Sequence, residues 1–203
     1  MAKSSHNRAS EFILTKFEEL IKIFGIKPIT IDMIAEKCGI SKKTIYKYFH
    51  SKHDMVAVII NNILDQLAKA MVEIDSSADN SAVKLERLFG SLYNLLGSIS
   101  IPMLHDIKTG YPEINSRVEY FINSQREMIR RNIAYGIECG DFYPDINPGI
   151  VTEIAMSGAE KIISPDYILK NNLTVEQVIT SFKIFMTHAL IKKQGGDYGK
   201  TAG

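Results

Sequence analysis

The chain has 203 residues, of which 45% are hydrophobic and 23% are charged, and its formal net charge is +1. This is the composition of an ordinary globular protein, and it excludes a disordered or fibrous chain. Two cysteines exclude a disulfide framework, no apolar run reaches the roughly 18 residues of a membrane span, and the polar first ten residues do not form a signal peptide. We therefore expect a cytoplasmic protein with no membrane partner.

Positive charge is concentrated towards the N-terminus. Residues 1–55 contain ten lysines and arginines against six acidic residues, whereas residues 56–203 contain fourteen against seventeen. The excess is sharpest from Ser41 to His53, where four lysines occur without an acidic residue. Asymmetry of this kind indicates an anionic partner for the N-terminal region.

Four helices are predicted in the first 75 residues. Apolar side chains recur with the helical period over residues 13–24 and again over residues 30–39, where a threonine caps the start and a glycine ends the helix. A very short helix follows over residues 41–49. The S-x-x-D pattern that begins at Ser51 is typical of a capped helix start, and the apolar period continues to about Ile74.

Helical patterns also fill the rest of the chain. A leucine-rich helix is predicted over residues 83–99, ending near Pro102, and a long helix runs from residue 112 to a stop at Gly140. Two more are predicted over residues 148–164 and 174–190, the last one opened by a threonine–glutamine capping box. Since no strand pattern or internal repeat occurs, we expect an all-α fold of about nine helices.

Residues 30–52 contain the pattern that indicates function. A helix, a glycine turn and a short second helix form a helix-turn-helix, whose second helix enters the major groove of DNA. Ile45 and Phe49 lie four apart and can pin that helix to a core, while its lysines and tyrosine project elsewhere. Lysine can hydrogen-bond guanine edges and tyrosine can contact a thymine methyl or a phosphate. The competing interpretation is a helical hairpin with a solvated basic face.

The stretch TIDMIAEKCGISKKTIYKYFHSK at residues 30–52 closely resembles the N-terminal signature of the TetR-type (TetR/AcrR) transcriptional regulators. The resemblance implies DNA-binding residues at Thr30, Ser41, Lys42, Lys43, Thr44, Tyr46, Lys47, Tyr48 and Lys52. Within this set it implies phosphate contacts for Thr30, Thr44, Tyr48 and Lys52, and base contacts for Lys42, Lys43 and Tyr46. Lys47 suits a backbone contact. It further implies a repressor of transcription without cofactor or enzymatic activity.

By the same resemblance, residues 1–50 form the DNA-binding head, residues 51–75 a connecting helix, residues 76–193 a ligand-binding and dimerisation domain, and residues 194–203 a flexible tail. A head of this kind needs a homodimer to reach the two half-sites of a palindromic double-stranded operator, about 34–36 Å apart. The last two helices would pair with their copies through Val151, Ala155, Gly158, Ala159, Ile162, Val178, Phe182, Met186 and Leu190. The same residues could instead be the core of one subunit.

A pocket for an unknown, largely apolar small-molecule effector is expected between the helices that begin near Val83 and Pro112. Its candidate lining residues are Phe89, Tyr93, Met103, His105, Tyr120, Phe121, Gln125, Met128 and Met156, each of which could equally be ordinary core. Bound ligand would favour a spacing of the two heads that no longer fits successive major grooves, so that the repressor leaves its operator.

Three other functions compete with this one. An enzyme would require a catalytic motif, and none of G-x-S-x-G, H-E-x-x-H, a phosphate-binding glycine loop or C-x-x-C occurs. His50 and His53 are a close pair, but a metal site there would need further ligands that the sequence does not show. A helical protein-interaction module and a DNA-binding activator without a ligand both fit the helical pattern.

Overall fold

The computed structural model describes residues 2–192, and for residues 2–7, 92 and 95–98 it describes the backbone alone. Residues 194–203, which were predicted to be a flexible tail, lie outside the described residues. The described part forms ten α-helices and no strand. They are α1 (Ala2–Phe24), α2 (Ile31–Cys38), α3 (Lys42–Tyr46), α4 (Lys52–Ser76), α5 (Ser81–Ser98), α6 (Ile101–Gly110), α7 (Pro112–Glu138), α8 (Pro148–Ile163), α9 (Pro165–Lys170) and α10 (Val175–Leu190). The predicted all-α fold is therefore confirmed.

Three helices differ from the sequence prediction, and the first is α1, which begins at Ala2, well before the apolar period at residue 13. Pro102 does not end a helix but lies in the first turn of α6, where an amide hydrogen would have no partner within the helix. Helix α9 was not predicted, because six residues are too few to show an apolar period. The predicted caps at Thr30, Ser51 and Thr174 each accept a hydrogen bond from a backbone amide of the first helical turn, and so do Ser41 and Asn147.

The head is built from α1 to α3 and the first half of α4. The end of α2 is set by Gly39, whose φ of 66° gives the left-handed turn predicted from the sequence. One apolar cluster, which we call the head cluster, unites buried residues of these helices with Met103 and Ile107 of α6 and Ile114 of α7. The core of the head therefore continues into the C-terminal half of the chain.

Helix α4 joins the two halves. By length and composition alone it could cross a membrane, a property that core helices of soluble proteins share. Its first half packs Met55, Val56, Ile59 and Ile60 into the head cluster. Further along, it packs against α5 and α7. The helix is thus the mechanical link between the head and the C-terminal half.

The C-terminal half forms a second apolar cluster, in which α5 packs against α10 and α7 against α8. The turn after α7 inserts Phe142, which is fully buried, against Gly136 of α7. A Cβ atom on Gly136 would overlap the Phe142 ring and lie 2.7 Å from Cβ of Ser81 in α5. Three segments therefore approach each other closely at this glycine.

Candidate nucleic-acid interface

Helix α3 presents one apolar and one polar face. Ile45 is fully buried and Phe49 is 8% exposed, so both anchor the helix to the head cluster, as predicted from their spacing. On the other side Tyr46 is 50% exposed, and Lys43 and Lys47 are also exposed. A half-exposed tyrosine between two lysines is a surface suited to the base edges and phosphates of a DNA groove.

The start of α3 is fixed by two hydroxyls. Oγ of Ser41 accepts from the Thr44 amide at 3.1 Å, and the two side-chain oxygens lie 2.9 Å apart. Thr30 likewise caps α2 by accepting from the Met33 amide at 3.3 Å, and its side chain is exposed. These hydroxyls orient the helix-turn-helix and lie near its surface, so the same residues can both set the geometry and contact a phosphate.

Lys42 and Tyr48, two further predicted contact residues, also have partners within the protein. Nζ of Lys42 lies 2.5 Å from Oδ1 of Asp32 in α2, although both side chains are largely exposed. Tyr48 is half-buried and packs against the head cluster. A base contact by Lys42 would therefore require it to exchange a carboxylate for the DNA.

Lys52 also has partners within the protein. Its ammonium donates to the backbone carbonyls of Ile26, Lys27 and Ile29 at 3.0, 3.3 and 2.8 Å. These bonds use all three donors of a lysine, so none remains for the phosphate contact that the resemblance implied. Burial lowers the pKa of Lys52, and the nearby carboxylate of Asp106 opposes that shift. In this structure Lys52 holds the α1–α2 loop.

Asp106 was missed by the sequence analysis. Its Oδ2 accepts from the amides of Ile26 and Lys27 at 2.7 and 2.8 Å. Two backbone amides of the loop therefore donate to Asp106 of α6, and three backbone carbonyls of the loop accept from Lys52 of α4. No sequence pattern signals this contact, because about 80 residues separate the partners.

The cavity that the structure shows lies away from the predicted pocket. A cavity of about 540 Å³ lies where the end of α1 meets α6 and α9. It is lined by Phe24, Lys27, Pro28, Ile101, Pro102, His105, Asp106, Asp166 and Leu169. His105 is the only predicted lining residue among them.

The other eight predicted pocket residues do not line this cavity, and they differ in burial. Phe89 and Met103 are buried in different clusters, while Tyr93 is 39% and Tyr120 78% exposed. The half-buried members are Phe121, Gln125, Met128 and Met156. Helices α5 and α7 pack directly against each other, and their apolar residues contribute to a core.

The predicted dimer residues are not the most exposed apolar residues of their helices. Ala155, Val178, Met186 and Leu190 are between 2% and 9% exposed within a single subunit. The other predicted members, Val151, Gly158, Ala159, Ile162 and Phe182, are half-buried. The exposed apolar residues of α8 and α10 are instead Ile150, Ile154, Ile184 and Phe185, which are 51% to 61% exposed. We call these four residues the apolar face; the sequence could not separate it from the core because both helices are apolar on two sides.

Comparison with known proteins identifies the head. Residues 13–59 match the family model described as bacterial regulatory proteins, tetR family. The HTH-type transcriptional regulator YvaF of Bacillus subtilis (strain 168) is 23% identical over 172 residues, which are 83% of this chain and 88% of that protein. The HTH-type transcriptional repressor KstR2 of Rhodococcus jostii (strain RHA1) is 29% identical over 127 residues, or 61% of this chain and 62% of that protein.

A solved structure extends the comparison to the whole fold. The ketosteroid transcriptional regulator KstR2 of Mycobacterium tuberculosis superposes with a TM-score of 0.67 and 21% identity, covering 91% of this chain and 96% of that one. The match includes both the head and the helices that follow it. Residues 13–59 therefore match the DNA-binding head of the tetR family, the described helices have the fold of a TetR-family regulator, and the chain is a DNA-binding transcriptional regulator.

Proposed function

We propose that the chain is a dimeric cytoplasmic repressor that binds a palindromic operator through α3 and leaves it when a largely apolar small molecule binds. The proposal is based on the exposed face of α3. Lys43, Tyr46 and Lys47 lie on this face, and the buried Ile45 anchors the helix from the opposite side. We further propose that residues 1–50 act as the head, residues 51–75 as the connecting helix and residues 76–193 as the regulatory domain.

DNA contact is assigned to the exposed residues of the helix-turn-helix. We propose that Lys43 and Tyr46 reach base edges, while Lys47 and Thr30 contact the backbone. Ser41, Lys42, Thr44 and Tyr48 remain proposed contacts, and Lys52 is withdrawn from the set because its ammonium is engaged by the α1–α2 loop.

Dimerisation is assigned to the apolar face of α8 and α10. Helices α8 and α10 pack against each other and each exposes large apolar residues, so the two can pair with their copies into a four-helix bundle. In sedimentation at micromolar concentration, Phe185→Glu should shift the protein from dimer to monomer, because it buries a charge in the interface. The matched control is Val72→Glu on α4, an equally exposed apolar position outside the face. A wild-type monomer would refute the assignment.

The effector is proposed to be an apolar molecule with few polar groups. The cavity between α1, α6 and α9 has a volume of about 540 Å³, within the range that small-molecule sites occupy. The M. tuberculosis regulator of similar fold is described as a ketosteroid regulator, so apolar ring compounds are the first candidates to test as effectors of this chain. The ligand must bind more tightly to the conformation in which the heads no longer fit the operator than to the operator-bound conformation. Equal affinity for both conformations would produce no regulation.

Selection of bound sequences from a random DNA pool at two salt concentrations tests the function. Enrichment of a palindrome that is lost at high salt is expected from a dimer that neutralises phosphates with lysines. A protein-interaction module would enrich no sequence, and its partner affinity would depend little on salt. Release of the enriched duplex by an apolar compound would establish the effector class, and a reporter gene behind the enriched site separates repression from activation.

A further inference from the structure

The loop between α1 and α2 is held from two sides by opposite charges. Asp106 of α6 accepts from the amides of Ile26 and Lys27, and Lys52 of α4 donates to three carbonyls of the same loop. Charged partners make the stronger class of hydrogen bond, especially where water is partly excluded. The loop is therefore fixed in relation to α6 as well as to α4.

The contact between α6 and the end of α1 is also sterically close. Gly25 has a φ of +75°, and a Cβ atom there would lie 2.9 Å from both Oδ2 of Asp106 and Cβ of Pro102. Oγ of Ser100, which caps α6, donates to the carbonyl of Ile21 in the last turn of α1 at 3.2 Å. Helix α6 thus holds the end of α1 through both hydrogen bonds and packing.

The loop leads directly into the DNA-reading part of the head. Ile26 and Ile29 are at most 1% exposed and belong to the head cluster, so the loop moves with the head. Thr30, the next residue, caps α2, and α2 packs against α3. A displacement of the loop would therefore change the position of α3.

We propose that Asp106 is a positioning residue that couples α6 to the DNA-binding head, separately from the covalent link through α4. Movement of α6 would shift the α1–α2 loop through its two amides and reorient α3. Because coupling between two sites is reciprocal, binding of DNA at α3 must in turn change α6. The inference depends on the DNA-binding function but on no particular effector.

Hydrogen–deuterium exchange of the full chain, with and without the enriched operator duplex, tests the coupling. In the wild type, DNA should slow exchange in α3 and also in residues 101–110 of α6. In Asp106→Ala, saturating DNA should still protect α3, but the change in α6 should be lost, and exchange of the Ile26 and Lys27 amides should rise about tenfold or more. Asp65→Asn, which alters an exposed carboxylate of α4, is the control and should behave as the wild type.

The possible outcomes separate the coupling from the function. Absence of protection at α3 in the wild type would overturn DNA binding, and the inference with it. Protection at α3 without a change in α6, or an α6 change that persists in Asp106→Ala, would overturn the coupling alone. If Asp106→Ala does not fold, Asp106→Asn keeps the acceptor oxygen without the charge. It should then show a reduced α6 response, and an undiminished response would overturn the proposal.

Discussion

Replacement of Lys52 distinguishes a residue that contacts DNA from one that holds the head together. Lys52→Ala removes one donor group from the carbonyls of Ile26, Lys27 and Ile29. A hydrogen bond to a charged group contributes about 1.5–3 kcal/mol, but this side chain is half-buried and water can replace part of the loss. We therefore expect the free energy of unfolding to fall by about 1–2 kcal/mol.

The salt dependence of DNA binding should distinguish Lys52→Ala from a variant that loses a phosphate contact. Lys52→Ala should weaken DNA binding through a less ordered loop, while the slope of log affinity against log salt stays at its wild-type value. Lys47→Ala is the matched control, because removal of one phosphate contact should flatten that slope by about 0.9.

Urea unfolding and fluorescence anisotropy titrations at several salt concentrations measure both quantities. If Lys52→Ala flattens the slope by about 0.9 and leaves stability unchanged, Lys52 contacts a phosphate and the reasoning from the hydrogen bonds is refuted.

Four further substitutions have defined outcomes. Tyr46→Ala should cost roughly 1–3 kcal/mol for the preferred site and relax its sequence preference in a repeated selection; unchanged affinity and preference would contradict the orientation of α3. Asp32→Asn should raise DNA affinity by up to about fivefold in anisotropy titrations, because it frees Lys42 from an exposed ion pair, and weaker binding would contradict this. Ile45→Asp should unfold the head, seen as lost helical circular dichroism, since the position is fully buried. Gly136→Ala should lower stability by about 1–3 kcal/mol despite its better helix propensity, because the methyl overlaps Phe142; a rise in the melting temperature would show that the turn can move aside.

Local features of the fold were predictable from the sequence. The caps of α2, α3, α4, α8 and α10 depend on residues within three positions of each other, and the anchoring of α3 by Ile45 depends on helical spacing alone. The exposed face of α3 followed from the same spacing, so most of the candidate DNA interface could be predicted from the residues alone.

Contacts between distant segments were not predictable. The bonds of Lys52 and Asp106 join segments separated by 23 to 80 residues, and a lysine at a helix start fits a phosphate contact as well as an internal one. The exposed apolar face of α8 and α10 was not predicted, because periodicity shows that both helices are apolar but not which side meets their own core. The cavity was missed because α9, which forms one wall, is too short to leave a pattern.

The continuity of the head cluster into α6 and α7 limits how the protein can be recombined with its relatives. Transplanting residues 1–50 onto another regulator would leave Ile13, Phe17 and their neighbours facing foreign side chains where Met103, Ile107 and Ile114 had completed the core. A functional chimera would therefore have to exchange the recognition helix alone, or carry α6 and the start of α7 together with the head. The head and the C-terminal half are stabilised by one shared set of core residues, so the head cannot be exchanged as a block without disturbing the packing of α6 and α7.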